Sequence, residues 1–162
     1  MLTYFPMPYP GEWWYSVLCR YHVRSGHIKY ATTISELYSG RPMVHGRLIP
    51  GGDCAAILAQ LPPGVLSIDD ILANHTLLPY YTRFFAPDKK RQVWDALLDG
   101  HGSGITSLRT QMPDGTEGLK YCPTCYLLDT EKYGEPFWHR VHQIPLLPIC
   151  PMHQVPLVVV PA

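Results

Sequence analysis

Apolar positions recur at helical spacing through the first hundred residues of the chain. Trp14, Val17, Leu18 and Tyr21 fall at i, i+3, i+4 and i+7. That single stripe predicts a helix over 11–25, with Gly26 as its stop. Ile34, Leu37 and Tyr38 predict a second, short helix over 33–39, with Thr33 and Glu36 at capping-box spacing and Gly40 after it. Ile57, Leu58 and Leu61 define a third, capped by Asp53 and ended by Pro62-Pro63. Ser67 and Asp70 open a fourth with Ile68, Ile71, Leu72 and His75 on one side. Pro87 and Asp88 open a fifth carrying Val93, Trp94, Leu97 and Leu98. Between these two, Pro79-Tyr80-Tyr81 through Phe84-Phe85 reads as an aromatic turn. Ahead of the first helix, the alternating prolines of Phe5-Pro6-Met7-Pro8-Tyr9-Pro10 predict an extended arm.

After residue 100 the periodicity dissolves. Gly100, Gly102, Gly104, Gly115 and Gly118 are interleaved with Ser, Thr and Asp, which reads as a connector. Beyond it, Glu135-Pro136-Phe137-Trp138-His139-Arg140 is expected to begin a short helix, and Leu157-Val158-Val159-Val160 to form a closing strand. The expected layout is a helical domain over 1–100, a connector over 101–120 and a small α+β module over 121–162. The fold class is mainly α, and no internal repeat is visible.

The C-terminal module carries the candidate chemistry. Cys122-Pro123-Thr124-Cys125 and Cys150-Pro151-Met152-His153 are two knuckles of C-x-x-[CH] spacing. Each lets two side chains of one tight turn point at one ion, and two together supply the four N/S ligands of a tetrahedral Zn²⁺ site. Proline inside each knuckle stiffens the turn. Four protein ligands leave no position for water or substrate, so the site is expected to be structural, with one zinc ion, and a zinc hydrolase is disfavoured. His139 and His142 lie between the knuckles and are alternatives to His153 as fourth ligand. Disulfides are the competing use of these residues, but five cysteines is an odd count and the N-terminus shows no export signal. Cys19 and Cys54 have no partner at ligand spacing and read as small buried residues.

Charge narrows the function further. The chain of 162 residues balances 13 basic against 13 acidic side chains, so no global field attracts nucleic acid and any such contact needs a local patch. No apolar run reaches the roughly 20 residues that span a bilayer. Reduced cysteines without an export signal point to the bacterial cytoplasm.

Taken as an ordered set, the residues resemble a known family. Tyr121-Cys122-Pro123-x-Cys125, Tyr133-Gly134-Glu135-x-Phe137-Trp138-x-Arg140 and Pro145-x-x-Pro148-x-Cys150-Pro151-x-His153 are similar to the zinc module of TniQ/TnsD transposon target-selection proteins. Phe5-Pro6-x-Pro8-Tyr9, Glu12, Tyr15-Ser16 and Arg20 resemble the family's opening arm and first helix, and His75-Thr76-Leu77-x-Pro79-x-Tyr81 its middle segment. Arg20 to Gly26 and Tyr38-x-Gly40-Arg41 bring it nearest to TnsD-type members. The resemblance implies a non-enzymatic protein with a helix-turn-helix-like N-terminal module and a CCCH zinc finger. It implies a TnsC-type AAA+ ATPase as partner, which recruits the transposase. It implies a target that is duplex attachment-site DNA or an RNA-guided CRISPR effector complex. TnsD-type members continue beyond the zinc finger, so a chain stopping at Ala162 is expected to be a minimal TniQ or the N-terminal piece of a longer TnsD.

Within that frame, the helix over 32–39 is the candidate recognition element, with Lys29, Arg41 and Arg47 as phosphate contacts. Lys89, Lys90 and Arg91 form the only basic run. At a helix start they oppose the macrodipole, which favours a use for them in contacting phosphate or an acidic partner. Solvated surface charge is the plain alternative for all six. Trp138 is expected to pack over the zinc knuckles. Trp13 points away from the first helix's stripe, and with Tyr4, Phe5 and Tyr9 is expected to offer an exposed patch for a partner; packing of the arm onto its own domain is the alternative. Two rival functions remain. A zinc-stabilised transcriptional regulator would bind an operator unaided, which neutral charge disfavours. An enzyme built on His139, His142 and Asp129 lacks an accompanying nucleophile motif.

Overall fold

The computed structural model describes residues 2–38, 53–98 and 118–161. Six helices come first: α1 Trp14–Ser25, α2 Tyr30–Tyr38, α3 Asp53–Leu58, α4 Ile68–Asn74, α5 Leu78–Thr82 and α6 Pro87–Leu98. Strand β1 Leu119–Tyr121, helix α7 Pro123–Tyr133, a 3₁₀ turn Arg140–Gln143 and strand β2 Val158–Val160 follow. Arg41, Arg47, Gly40 and the expected connector up to residue 117 lie outside the described residues. No described helix is long and apolar enough to cross a membrane.

The stripe of α1 is buried as its spacing predicts: Trp14, Val17, Leu18 and Tyr21 pack with Leu37, Tyr38, Cys54, Ile57 and Ile71 into one core. Gly26 ends α1 at φ 72, a left-handed turn that glycine adopts without strain. Helix α2 begins earlier than expected, because Thr33 is not a cap. It is fully buried inside the helix, where its hydroxyl meets Nδ1 of His22 at 2.7 Å and of His27 at 3.0 Å. Ser67 does cap α4, accepting from the Asp70 amide at 3.1 Å. The aromatic segment expected as a turn instead contains helix α5, with Pro79 in its first turn. Leu72, Leu78, Val93 and Leu97 bury a second cluster beneath it.

The C-terminal residues are built differently from expectation. The first knuckle opens helix α7, with Cys122 as N-cap, Pro123 in the first turn and Gly134 in the left-handed conformation after the last. The stretch 135–139 is not helical. It runs alongside the N-terminal arm through the bridge Glu12↔His139, and only 140–143 coil into the 3₁₀ turn. The closing strand is present: β2 pairs antiparallel with β1, Leu119 against Val160.

Gly118 makes that pairing possible. Its φ is 76, and a Cβ there would sit 2.3 Å from the Val160 carbonyl oxygen. Gly118→Ala is therefore expected to push β2 off β1 and destabilise the fold by about 2 kcal/mol or more. A thermal melt at the wild-type midpoint would refute this.

The helical and C-terminal parts interlock. The first amides of α1 have no side-chain cap; instead Trp14 N–H donates to the His75 carbonyl at 2.7 Å and Trp13 N–H to the Trp138 carbonyl at 2.8 Å. Distant backbone thus satisfies donors that a helix start leaves orphaned. Trp13 and Leu77 are buried at this junction with Tyr15, Leu119, Trp138 and Ile144 against them.

Candidate metal centre

Cys122 and Cys125 are placed by the first turn of α7, where the Cys125 amide points at the Cys122 sulfur from 3.5 Å. Cys150 and His153 sit on a tight turn closed by two backbone bonds, Gln154 N–H to Cys150 O and Cys150 N–H to Val155 O, each 2.8 Å. Gln154 takes the left-handed conformation, φ 55, to close it. Together the turns bring Cys122, Cys125, Cys150 and His153 to a set whose donor atoms all lie within 4.8 Å of one another.

The dimensions suit a tetrahedral ion. Metal–sulfur bonds of about 2.3 Å and metal–nitrogen bonds of about 2.0 Å require donor–donor edges of about 3.5–3.8 Å. Here His153 Nδ1 lies 3.6 Å from Cys122 Sγ, 3.3 Å from Cys125 Sγ and 3.7 Å from Cys150 Sγ. The Cys125 and Cys150 sulfurs are 3.9 Å apart, far beyond a disulfide bond of about 2.05 Å. The sulfurs differ in acidity. Burial pushes the Cys122 thiol up, but hydrogen bonds from the Cys125 amide, His153, Cys150 and the Thr124 amide outweigh it and bring it to about 7. Cys125 is instead pushed up, by burial first and then by the neighbouring sulfurs. A positive charge between the sulfurs would favour the thiolate form that binds metal. The set can hold a metal ion, and its donor types are those of zinc.

The alternative fourth ligands stand outside the set. His139 Nε2 donates to the Asp129 carboxylate at 2.7 Å. His142 comes closer, with Nε2 3.5 Å from Cys150 Sγ and 3.8 Å from Cys125 Sγ. Its ring is fully buried and its Nδ1 has no hydrogen-bond partner. Burial, with His139, His153 and Lys120 adding to it, pushes its pKa down to about 4. A neutral His142 flanks two of the sulfurs from outside.

Residues 3–157 match the TniQ family profile. The chain belongs to the TniQ family. It is also 30% identical over 155 residues to the transposon Tn7 transposition protein TnsD of Escherichia coli, an alignment covering 92% of this chain and 30% of that protein. The chain therefore spans less than a third of the length of this relative.

Many residues that carry the TniQ resemblance lie at the joint between the helical part and the metal centre. Glu12 is fully buried, and its carboxylate accepts from the Tyr9 amide at 2.9 Å, Ser16 Oγ at 2.8 Å and Arg20 Nη1 at 2.8 Å. Arg20 Nε donates on to Glu135 at 2.7 Å, and Tyr9 O–H donates to the same oxygen at 3.0 Å. The Arg20 guanidinium also covers the Tyr9 ring, 3.8 Å from its centroid. Burial opposes ionisation of Glu135, but hydrogen bonds from Arg20 and Tyr9 and the charges of Arg20 and Arg24 outweigh it and lower its pKa. On the other flank, Arg140 donates to the Ala73 and Thr76 carbonyls at the end of α4. Sequence reasoning assigned these residues no structural task. The available signal was a charge pair, Glu12 and Arg20, flanking the apolar stripe of α1.

The expected exposed patch is corrected. Trp13 is 4% exposed. Phe5 packs on Trp14 and Tyr21, and Tyr9 stacks on Tyr133 and Phe137. Only Tyr4 of the four is open, at 41%, and even it lies over Tyr21 and accepts from Arg24. Trp138 packs at the junction with Trp13 rather than on the knuckles, whose apolar neighbours are Val155 and Leu157. Lys29 is exposed just before α2, and Lys89, Lys90 and Arg91 are exposed on the first turns of α6.

Proposed function

We propose that this TniQ-family chain is a non-enzymatic target-selection adaptor in DNA transposition. It links a TnsC-type AAA+ ATPase, and through it the transposase, to a target that is attachment-site duplex DNA or an RNA-guided CRISPR effector complex. The observation that carries this reading is the family match over residues 3–157. The Cys122, Cys125, Cys150, His153 set supports it, because four protein donors make a closed, structural zinc centre. Zinc there clamps the start of α7 to the 150–153 turn and so presents the surface around them. That surface is apolar: Tyr126, Leu127, Leu128, Val158, Val159 and Val160 are all exposed, Leu127 at 68%. With Tyr4 of the arm, it is where the ATPase is proposed to dock.

On the target side, α1 and α2, joined by residues 26–29, are read as a helix-turn-helix-like pair. Lys29, Arg41, Arg47, Lys89, Lys90 and Arg91 are the proposed phosphate contacts. Zero net charge makes unaided binding weak and salt-dependent.

The test is a pull-down of TnsC with ATP and duplex DNA on immobilised chain. Wild type is expected to retain TnsC, and Leu127→Ser/Val159→Ser to retain at least tenfold less, on the scale of one interface hot spot of about 2 kcal/mol. Failure of the wild-type chain to retain TnsC would refute the adaptor reading.

A further inference from the structure

We propose that the α5–α6 corner is a nucleotide-stacking site, with Phe84 taking the face of an unpaired base and Arg83, Lys89, Lys90 and Arg91 holding the flanking phosphates. The proposal rests on the nucleic-acid reading above and adds a ligand class to it. Phe84 is 87% exposed, and among the described residues no aromatic side chain is more open. It leaves the corner between α5 and α6, next to the run that begins α6. The Arg83 guanidinium lies between two rings, 4.3 Å from the Tyr80 centroid and 4.7 Å from that of Phe84. Lys89 Nζ lies 4.6 Å from the centroid of Phe85. Cations and rings are therefore interleaved over residues 80–91.

Two features separate this corner from ordinary solvated charge. None of the four cations forms an ion pair among the described residues, and Asp88 is the sole acid from 83 to 91. Three of them also stand on the first turns of α6, where the helix dipole disfavours positive charge and its free amides favour an anion. An arriving phosphate relieves that conflict.

The exposed ring decides which polyanion fits. An acidic peptide satisfies the cations but offers nothing to a bare phenyl group. A nucleotide brings both a phosphate and a flat π face, and stacking is indifferent to which base supplies it. In an intact duplex that face is already covered by its neighbours. The site therefore suits a single strand, a bulge or a locally opened duplex.

The measurement is fluorescence anisotropy of the full chain with labelled oligonucleotides: a paired duplex, the same duplex with a three-nucleotide bubble, and single strands of DNA and RNA of one sequence. Wild type is expected to bind the bubble and single strands more tightly than the paired duplex, whichever sugar it favours. Phe84→Ala should lose about tenfold in affinity for the unpaired probes and little for the duplex. Lys89→Ala/Lys90→Ala/Arg91→Ala should weaken all probes alike and flatten their salt dependence. Because Phe84 lies outside all four buried apolar clusters, circular dichroism of Phe84→Ala should match wild type. Equal affinity of Phe84→Ala and wild type for the bubble overturns the stacking site while leaving phosphate binding intact. Displacement of the probe by poly-glutamate at equal charge concentration also overturns it, in favour of an acidic protein. Binding of no probe by wild type removes the nucleic-acid reading itself, and the TnsC pull-down then judges the adaptor separately.

Discussion

Removal of zinc with a strong chelator is expected to unfold residues 118–161 and loosen α1 with them. The local core around the knuckles is too small to stand alone: it consists of Cys122, Cys125 and Cys150 with Val155 and Leu157 beside them. The sheet is two strands of three residues, and every residue of β2 is exposed. Structural zinc supplies on the order of 10 kcal/mol, comparable with the whole stability of a small domain. Without it, three thiols and an imidazole share a buried space with no charge to hold them. The expected chelator result is loss of helical circular dichroism from α7 and a change in Trp13 and Trp138 fluorescence, since both sit at the junction. Wild type is expected to carry one zinc per chain by elemental analysis, and Cys150→Ser and His153→Ala to purify without it. His142→Phe is expected to keep it, because His142 flanks the sulfurs without belonging to the candidate cluster. A chelated chain with unchanged spectra would refute the structural role. Zinc retained in His153→Ala but lost in His142→Phe would reassign the fourth ligand.

Arg20→Ala is expected to cost about 3 kcal/mol or more, the second largest single effect. Arg20 is 8% exposed and Glu12 is fully buried, so deleting the guanidinium leaves a carboxylate inside the protein with only the Tyr9 amide and Ser16 hydroxyl to solvate it. The same change removes the bond to Glu135 and the cover over Tyr9. Arg20→Lys should recover little. One ammonium cannot present separate N–H groups to Glu12 and Glu135 while lying flat on a ring. Glu135→Gln, at a partly open carboxylate, should cost less than Arg20→Ala. Urea unfolding midpoints test the order, and an Arg20→Ala midpoint equal to wild type would show that the joint does not stabilise the fold.

The helical half was legible because one-dimensional spacing carries most of its information. Trp14, Val17, Leu18 and Tyr21 face inward wherever α1 packs, and Gly26 and Ser67 act through local geometry that no distant residue needs to supply. Thr33 shows the limit. Its spacing to Glu36 fits a cap, but a hydroxyl that reaches two histidines from the preceding helix and turn is better satisfied inside α2. The segment 135–140 shows it more strongly: its extended form is set by backbone bonds to the arm, Trp13 N–H to Trp138 O and Arg140 N–H to Gly11 O at 3.0 Å. Such partners, over a hundred residues away, leave no periodic trace.

By itself, then, the sequence determined the helix stripes, the family and which four side chains form the candidate metal cluster, since knuckle spacing and 3.6-residue periodicity are local constraints that survive any packing. Tertiary structure decided the rest. It turned the arm inward, because Trp13, Phe5 and Tyr9 find aromatic partners on α1 and in the C-terminal module. It buried Glu12 by surrounding its carboxylate with donors from Tyr9, Ser16 and Arg20. It placed His142 beside the sulfurs but outside the candidate metal cluster. Each of these depends on two distant segments meeting, and the free energy that selects them appears only once both are in place.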